Sequence, residues 1–182
     1  TPYSGVSNRV PLRYSTELLT VSWLILPAER RISNTRLIPK TLNNTNNKTA
    51  TAVAEEIMNR DSFSKWLGIR VLKAAAGYSK IQMEIRDEML NGLGIVHGGI
   101  AFSLADSAFA LACNSHNNLS VAWDTSITFT KSSKLWDVLT AEAKELHNGK
   151  STGLYIVTVT NQRNEQVALF KGTCFRTAKK II

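Results

Sequence analysis

Apolar residues occupy nearly every side of the stretch 100–113, and Asp106 is its only charge. A helix that is apolar all round is a buried helix, and this one is too short to span a membrane. The preceding glycines, Gly98 and Gly99, supply a flexible backbone where the chain turns into the helix. The pattern predicts a central buried helix that begins at or near Gly98.

Apolar residues alternate with polar ones on both sides of this helix, which is typical of strands with one solvated face. Strands are predicted over 69–75, 78–85, 120–130, 138–146, 154–160 and 166–175. A first helix is predicted over 51–67, with Asp61-Ser62 as a cap or restart within it. One antiparallel sheet wrapped around a single central helix satisfies this order, so we expect an α+β fold.

Residues 1–50 differ in composition from everything that follows. They hold all four prolines and end in an Asn-rich tract, 43–48, that cannot bury enough apolar surface to offset its ordering entropy. We interpret 1–50 as a disordered or non-native leader and 51–182 as the folded domain. A basic, acid-poor presequence is the functional alternative for the leader.

The formal net charge of +8 lies mainly in the leader. Residues 1–50 carry seven Lys/Arg and two Glu, whereas 51–182 carry fifteen Lys/Arg and twelve Asp/Glu. A mildly basic domain suits a phosphate-bearing ligand but lacks a nucleic-acid footprint. The longest apolar stretch outside the central helix, 18–26, is about half of a membrane span. We therefore expect neither nucleic acid nor a membrane as partner.

The two cysteines, Cys113 and Cys174, have no metal-ligand spacing, and we interpret each as a small buried hydrophobe. Reduced thiols favour a cytoplasmic location. We expect no metal site.

The chemistry-bearing residues lie on the central helix and the loop before it. A lone carboxylate on a buried helix, Asp106, is costly unless it is hydrogen-bonded or takes part in a reaction. The unpartnered N–H groups at the helix start suit a carbonyl oxygen that gains negative charge. The combination indicates acyl transfer or hydrolysis. The structural alternatives are a buried acid satisfied by nearby donors, and for His97-Gly98-Gly99 a tight turn into the helix.

At about 1.5 Å per residue, Asp106 lies roughly 12 Å along the helix from Gly98. Groups that act on one carbonyl must lie about 3 Å from it, so one helix cannot supply both. Two copies with antiparallel helices across a two-fold axis would bring Asp106 of one to Gly98 of the other. The chemistry therefore requires at least a dimer.

A series of motifs in fixed order resembles the hotdog-fold acyl-CoA thioesterases of the phenylacetate-degradation (PaaI-type) subgroup. The resemblance covers about residues 55–177 and rests on Met89-Leu-Asn91-Gly, His97-Gly-Gly, Phe102-Ser-Leu-Ala-Asp106-Ser-Ala-Phe-Ala, Ala112-Cys-Asn-Ser, Thr152-Gly-Leu-Tyr and Val167-Ala-Leu-Phe-Lys-Gly. It implies hydrolysis of phenylacetyl-CoA or hydroxyphenylacetyl-CoA to the free acid and CoA. It also implies dimers that pair into tetramers, and no cofactor, since CoA is part of the substrate.

The resemblance also implies roles for single residues. Asp106 matches the acid that acts as general base or nucleophile, and the Gly98 N–H matches the donor that polarises the carbonyl. Asn91 and His97 match residues that hold the thioester or water. The neighbouring Gly99 and Ser107 are expected to contact substrate.

Two departures from the family pattern concern the substrate contacts. Trp123-Asp124 stands where small or hydroxylated residues are expected, and the usual proline is missing from Lys131-Ser-Ser-Lys134. Lys131 and Lys134 are candidates for the CoA phosphates, with solvated loop lysines as the alternative. A non-catalytic acyl-CoA-binding hotdog module is the alternative function. A hotdog hydratase would need an acid–base arrangement that we do not find on the helix.

Overall fold

The computed structural model describes residues 40–182, all within one compact unit. Its helices and strands, in chain order, are α1 (Lys40–Arg60), α2 (Ser62–Leu67), β1 (Arg70–Ala75), β2 (Tyr78–Glu84), α3 (Gly98–Asn114), β3 (Ser120–Phe129), β4 (Val138–Asn148), β5 (Thr152–Thr160) and β6 (Gln166–Arg176). A single 3-10 turn, Asp87–Met89, precedes the loop into α3.

The six strands form one sheet in the order β1-β2-β4-β5-β6-β3, and every neighbouring pair is antiparallel. Helix α3 lies against one face of this sheet and contacts all its strands. The predicted α+β architecture, one antiparallel sheet around a central helix, is confirmed.

The core lies between α3 and the inward face of the sheet. Alternate residues of β4 and β5 are fully buried there: Leu139, Ala141, Ala143, Tyr155, Val157 and Val159. On α3, Phe109 packs its ring against Tyr155 and Phe170, with centroids 5.5 and 5.8 Å away. A Cβ added to Gly172 would lie 2.9 Å from the Phe109 ring, so the glycine lets the helix approach the sheet closely.

The first helix begins earlier than predicted. The predicted helix 51–67 is two helices, with Asp61 as the N-cap of α2, and α1 extends back to Lys40. The proposed domain boundary near residue 50 thus lies inside α1, and Ala50 is buried. The tract 43–48 is helical because it propagates from a packed helix, and Asn47 Oδ1 accepts the Ala76 N–H at 3.3 Å. The rest of the interpreted leader, 1–39, lies outside the described residues.

Both cysteines are buried free thiols, as predicted for Cys113 and Cys174. The cytoplasmic location inferred from reduced thiols stays a prediction. In the part of the chain that the structure describes, no helix has the length and apolar character needed to cross a membrane. The same residues contain no group of three or more His, Cys, Asp or Glu that could hold a metal ion.

Candidate active site

The side-chain oxygen of Asn91 shapes the loop that leads into α3. It accepts the backbone N–H groups of Leu93 at 2.8 Å and Ile95 at 3.4 Å, an Asx-type turn. Gly94 completes the turn with a φ of 72°, a conformation that favours glycine. The Asn91 oxygen is therefore structural, while its Nδ2 group has no hydrogen-bond partner among residues 40–182 and can donate to a ligand.

His97 caps the start of α3. Its Nδ1 atom accepts the Gly99 N–H at 2.9 Å, and its backbone carbonyl accepts the Ile100 N–H at 2.9 Å. A ring nitrogen that accepts a hydrogen bond carries no proton, so the neutral ring has its proton on Nε2. Within the described chain the Gly98 N–H has no acceptor. The cap thus leaves one donor available at the positive end of the helix.

A cavity of about 360 Å³, here called the helix-start cavity, opens in front of this donor. Its lining includes Asn91, Gly98, Phe129, Lys131, Ser133 and Val167. Phe129 packs over the helix start, since a Cβ added to Gly98 would lie 3.2 Å from the Phe129 ring. The ring thus forms one wall of the cavity beside the Gly98 N–H.

Asp106 lines a different cavity of about 160 Å³, here called the Asp106 cavity. Its carboxylate forms no hydrogen bond or ion pair with any described residue, and burial raises its pKa above the ordinary aspartate value. Helices α1 and α2 contribute Met58, Phe63 and Ser64 to the cavity wall. An unpartnered, partly buried carboxylate that faces a cavity is a candidate base or nucleophile.

Ser107 lies beside Asp106 in the same cavity. Its hydroxyl is 3.3 Å from that of Ser64, which donates in turn to Asp61 Oδ2 at 2.6 Å. Burial of Asp61 opposes its ionisation, but the hydrogen bonds from Ser64 outweigh it and lower the Asp61 pKa. Ser107 thus lies in the wall of the cavity that Asp106 lines, and its expected contact with substrate stays a prediction.

A single protomer does not bring the two reactive groups together. Asp106 and Gly98 are eight residues apart on α3, which corresponds to about 12 Å along the helix axis. They also line separate cavities. Within one protomer, therefore, Asp106 and the Gly98 N–H do not converge on a single carbonyl.

The other candidate binding residues differ in their surroundings. Lys131 lines the helix-start cavity and pairs with Glu165 at 2.6 Å, whereas Lys134 is exposed and is not part of that lining. Hydrogen bonds from Asn161 and Lys131 help lower the pKa of Glu165 to about 2. Gly99 is expected to contact substrate, but its backbone N–H already donates to His97 Nδ1. That N–H is therefore not available to a substrate.

The sequence analysis missed Ser133, Phe129 and Ser64. Ser133 enters the sequence analysis only within the departure Lys131-Ser-Ser-Lys134, and neither Phe129 nor Ser64 is singled out there. Each is placed by a contact with a distant part of the chain, which local sequence does not show. Nothing in the sequence around Phe129 indicates that its ring packs over Gly98.

The sequence and the structure are similar to those of known thioesterases. The Thioesterase superfamily model matches residues 93–168. Escherichia coli acyl-coenzyme A thioesterase PaaI is 41% identical over 123 residues, which is 68% of this chain and 88% of that protein. The structure of E. coli PaaI, from the phenylacetic acid degradation operon, matches with a TM-score of 0.73 at 38% identity, over 74% of this chain and 97% of that one. A Streptococcus mutans protein solved with acetyl CoA matches with a TM-score of 0.60 at 34% identity, over 62% and 90% of the chains.

Proposed function

The chain belongs to the hotdog-fold thioesterase superfamily, as an acyl-CoA thioesterase of the PaaI type, and on this premise we propose that it hydrolyses arylacetyl-CoA at sites shared by two protomers. Phenylacetyl-CoA and hydroxyphenylacetyl-CoA are the proposed substrates. The observation that carries the proposal is the Asp106 carboxylate, partly buried and unpartnered within residues 40–182, on the same helix as the unpartnered Gly98 N–H. The apolar walls of the Asp106 cavity, which include Met58, Phe63 and Phe102, support an aromatic acyl group.

Two protomers with antiparallel α3 helices would place Asp106 of one opposite Gly98 of the other. Strand β3 supports contact with a second copy, because it is an edge strand and exposes apolar side chains. Val121 is 51% exposed and Trp123 is 68% exposed. Such an edge is normally covered or paired in a stable protein. A homodimer is therefore the proposed catalytic unit, and its pairing into a homotetramer follows the PaaI-type resemblance.

In the proposed reaction, the thioester carbonyl oxygen accepts the Gly98 N–H. Asp106 takes a proton from water as the water oxygen attacks the carbonyl carbon, and the carbonyl electron pair moves onto the oxygen at Gly98. The intermediate then collapses, the C–S bond breaks, and the CoA thiolate takes up the proton held by Asp106. The products are the free acid and CoA.

Direct attack by Asp106 is the alternative first step. The carboxylate oxygen then bonds to the carbonyl carbon, the thiolate leaves, and water hydrolyses the resulting mixed anhydride. Both routes use the same two groups. The Nδ2 group of Asn91 and the Nε2–H of His97 are proposed to hold the thioester or the water.

Lys131 and Lys134 are proposed to meet the CoA phosphates. Lys131 lies in the lining of the helix-start cavity, and its ion pair with Glu165 is largely exposed. Exposed ion pairs contribute little stability, so a phosphate group can replace Glu165 as the partner. A lysine in a buried ion pair would be less available to bind a phosphate group.

The second candidate function is a non-catalytic acyl-CoA-binding module. It would bind acyl-CoA without releasing thiol, whereas a thioesterase releases free CoA that a thiol reagent detects. The unpartnered Asp106 carboxylate favours hydrolysis, because a binding module has no use for a costly partly buried charge.

Mixing two inactive variants tests the shared site. Asp106→Asn removes the carboxylate, and Gly98→Pro removes the N–H at a position where proline is compatible with a helix start. Each variant alone should release thiol from phenylacetyl-CoA at least about a hundredfold more slowly than the wild type. After unfolding and refolding together in equal amounts, half of the dimers are mixed, and each has one intact site.

The expected result is recovery of about a quarter of the wild-type rate. No recovery, with mixed dimers demonstrated by mass, would contradict a site built from two chains. Undiminished turnover by Asp106→Asn alone would contradict the role of the carboxylate.

A further inference from the structure

Ser133 carries a buried hydroxyl without a partner. The residue is 4% exposed, and its Oγ is the one buried side-chain nitrogen or oxygen in residues 44–182 that makes no hydrogen bond. Buried polar groups are nearly always hydrogen-bonded, and an exception calls for an explanation. Since Ser133 lines the helix-start cavity, a ligand in that cavity is the natural partner.

The backbone around Ser133 is held in place. Its carbonyl accepts the Val96 N–H at 2.9 Å, which ties this loop to the segment that leads into α3. One residue further along, the Lys134 N–H donates to Asp137 Oδ2 at 3.0 Å. The hydroxyl therefore retains only rotation about a single side-chain torsion, and that rotation can direct it toward a group in the cavity.

The other walls of the cavity suggest what that group is. Ile95, Phe129 and Val167 present apolar surface, which suits methylene groups. In an acyl-CoA, two methylenes separate the thioester sulfur from the first amide of the pantetheine arm. That amide loses water when it enters an apolar channel, so it needs a hydrogen-bond partner there.

We propose that the Ser133 hydroxyl hydrogen-bonds the first amide of the pantetheine arm and thereby helps select CoA-type thioesters. The inference rests on the proposed function, because it takes the thioester carbonyl to lie at the Gly98 N–H. The arm then passes Ser133, and its nucleotide end leaves the cavity past the exposed Lys131. Ser133 acts as a specificity residue and does not touch the reacting atoms.

Three phenylacetyl thioesters test this assignment. The CoA ester has the amide and the nucleotide, the N-acetylcysteamine ester has the amide alone, and the ethanethiol ester has neither. Ser133→Ala should lower kcat/KM about fivefold to tenfold for the first two esters and leave the third unchanged. Ser151→Ala is the control, since Ser151 is exposed and lies outside the lining of both cavities, and it should change none of the three.

An equal loss on all three esters would overturn the assignment, because the hydroxyl would then act at the thioester or in the fold. An unchanged Ser133→Ala enzyme would overturn it as well. If the wild-type protein hydrolyses none of the esters, the proposed function fails on its own. The Kd of phenylacetyl-CoA then decides the role of Ser133: a fivefold to tenfold increase in Ser133→Ala supports it, and an unchanged Kd overturns it.

Discussion

The Nδ1 atom of His97 accepts the backbone N–H of Gly99 at 2.9 Å. With the His97 carbonyl bonded to Ile100, the histidine satisfies two of the first three N–H groups of α3 and leaves that of Gly98. A capping side chain thus determines which backbone amide faces the substrate. Because Nδ1 is occupied as an acceptor, His97 can act on a ligand only through its Nε2–H.

Two substitutions at Gly98 separate the N–H from the shape of the residue. Gly98→Pro removes the donor, and His97 already has the extended conformation, with ψ 132°, that a residue before proline prefers. We expect kcat for phenylacetyl-CoA to fall about 10²- to 10³-fold, as for the loss of one oxyanion donor. The measurement is steady-state thiol release.

Gly98→Ala is the control for this change. It keeps the N–H and adds a Cβ that would lie 3.2 Å from the end of the Phe129 ring, so a small ring movement accommodates it. Gly98→Ala should lose much less activity than Gly98→Pro. Equal losses would mean that crowding, and not the donor, explains the effect.

The pH dependence of hydrolysis should report Asp106. Burial raises its pKa above the ordinary aspartate value of about 3.9, and both proposed routes need the ionised carboxylate. We expect kcat/KM for phenylacetyl-CoA to fall as the pH decreases through this raised pKa. A pH profile that stays flat down to about pH 4, with the protein folded by circular dichroism, would contradict the assignment.

The same residue should lower stability in its charged form. Because the Asp106 pKa is higher in the folded chain than in the unfolded chain, the folded state binds the proton more tightly. The free energy of unfolding therefore decreases as the pH rises from the ordinary aspartate value through the raised one. At neutral pH, Asp106→Asn should raise Tm by about 1–3 °C, a small shift because solvent screens a partly exposed charge.

A thermal scan of the wild type and Asp106→Asn at pH 7 checks this expectation. Asp87→Asn, at an exposed position of the 3-10 turn, is the matched control and should change Tm by less than about 1 °C. A lower Tm for Asp106→Asn would indicate that the carboxylate is stabilised by groups of a second protomer.

Arg176 should be important for stability. It does not line either of the two cavities of the candidate active site. It is 7% exposed and donates to the Cys113 carbonyl at 3.1 Å, Asn148 Oδ1 at 2.8 Å and the Tyr155 hydroxyl at 3.1 Å. Arg176→Met leaves these three acceptors without their donor and removes the cation that lies 3.6 Å from Glu145. We expect the free energy of unfolding to fall by about 2–4 kcal/mol.

Urea denaturation measures this loss as a lower midpoint at an unchanged m-value. Lys171→Met is the control, because it removes an exposed cation from the same strand. Its midpoint should stay close to that of the wild type. A similar loss in both variants would mean that strand charge, and not the buried contacts, explains the effect.

The fold was predictable because the buried face of a strand or helix repeats apolar residues at a regular spacing in the sequence. The alternation of Leu139, Ala141 and Ala143 with polar residues identified β4, and the apolar run with one charge identified α3. The start of α1 was not predictable in the same way. Residues 44–48 of this helix are polar and exposed, and the contact between Asn47 and Ala76 joins residues 29 positions apart.

In the candidate site, too, some residues could be predicted from local sequence and others could not. Asp106 and Gly98 stand out in sequence, one as a charge in an apolar helix and the other as a glycine at its start. Ser133 does not, because a serine among polar loop residues looks solvated until the contact with Val96 is known. The hydrogen bond from the Gly99 N–H to His97 also depends on the rotamer of the His97 side chain, which sequence does not determine.

Both outer strands of the sheet carry a register shift, at Val71/Lys73 in β1 and at Ala122/Asp124 in β3. A bulge interrupts the even row of donors and acceptors that an added strand would need. A single contact between two copies related by a two-fold axis remains feasible along such an edge, and the bulges disfavour repeated addition of further copies. The irregular edges therefore oppose growth of the sheet into fibrils, while β3 stays able to make a contact with one second copy.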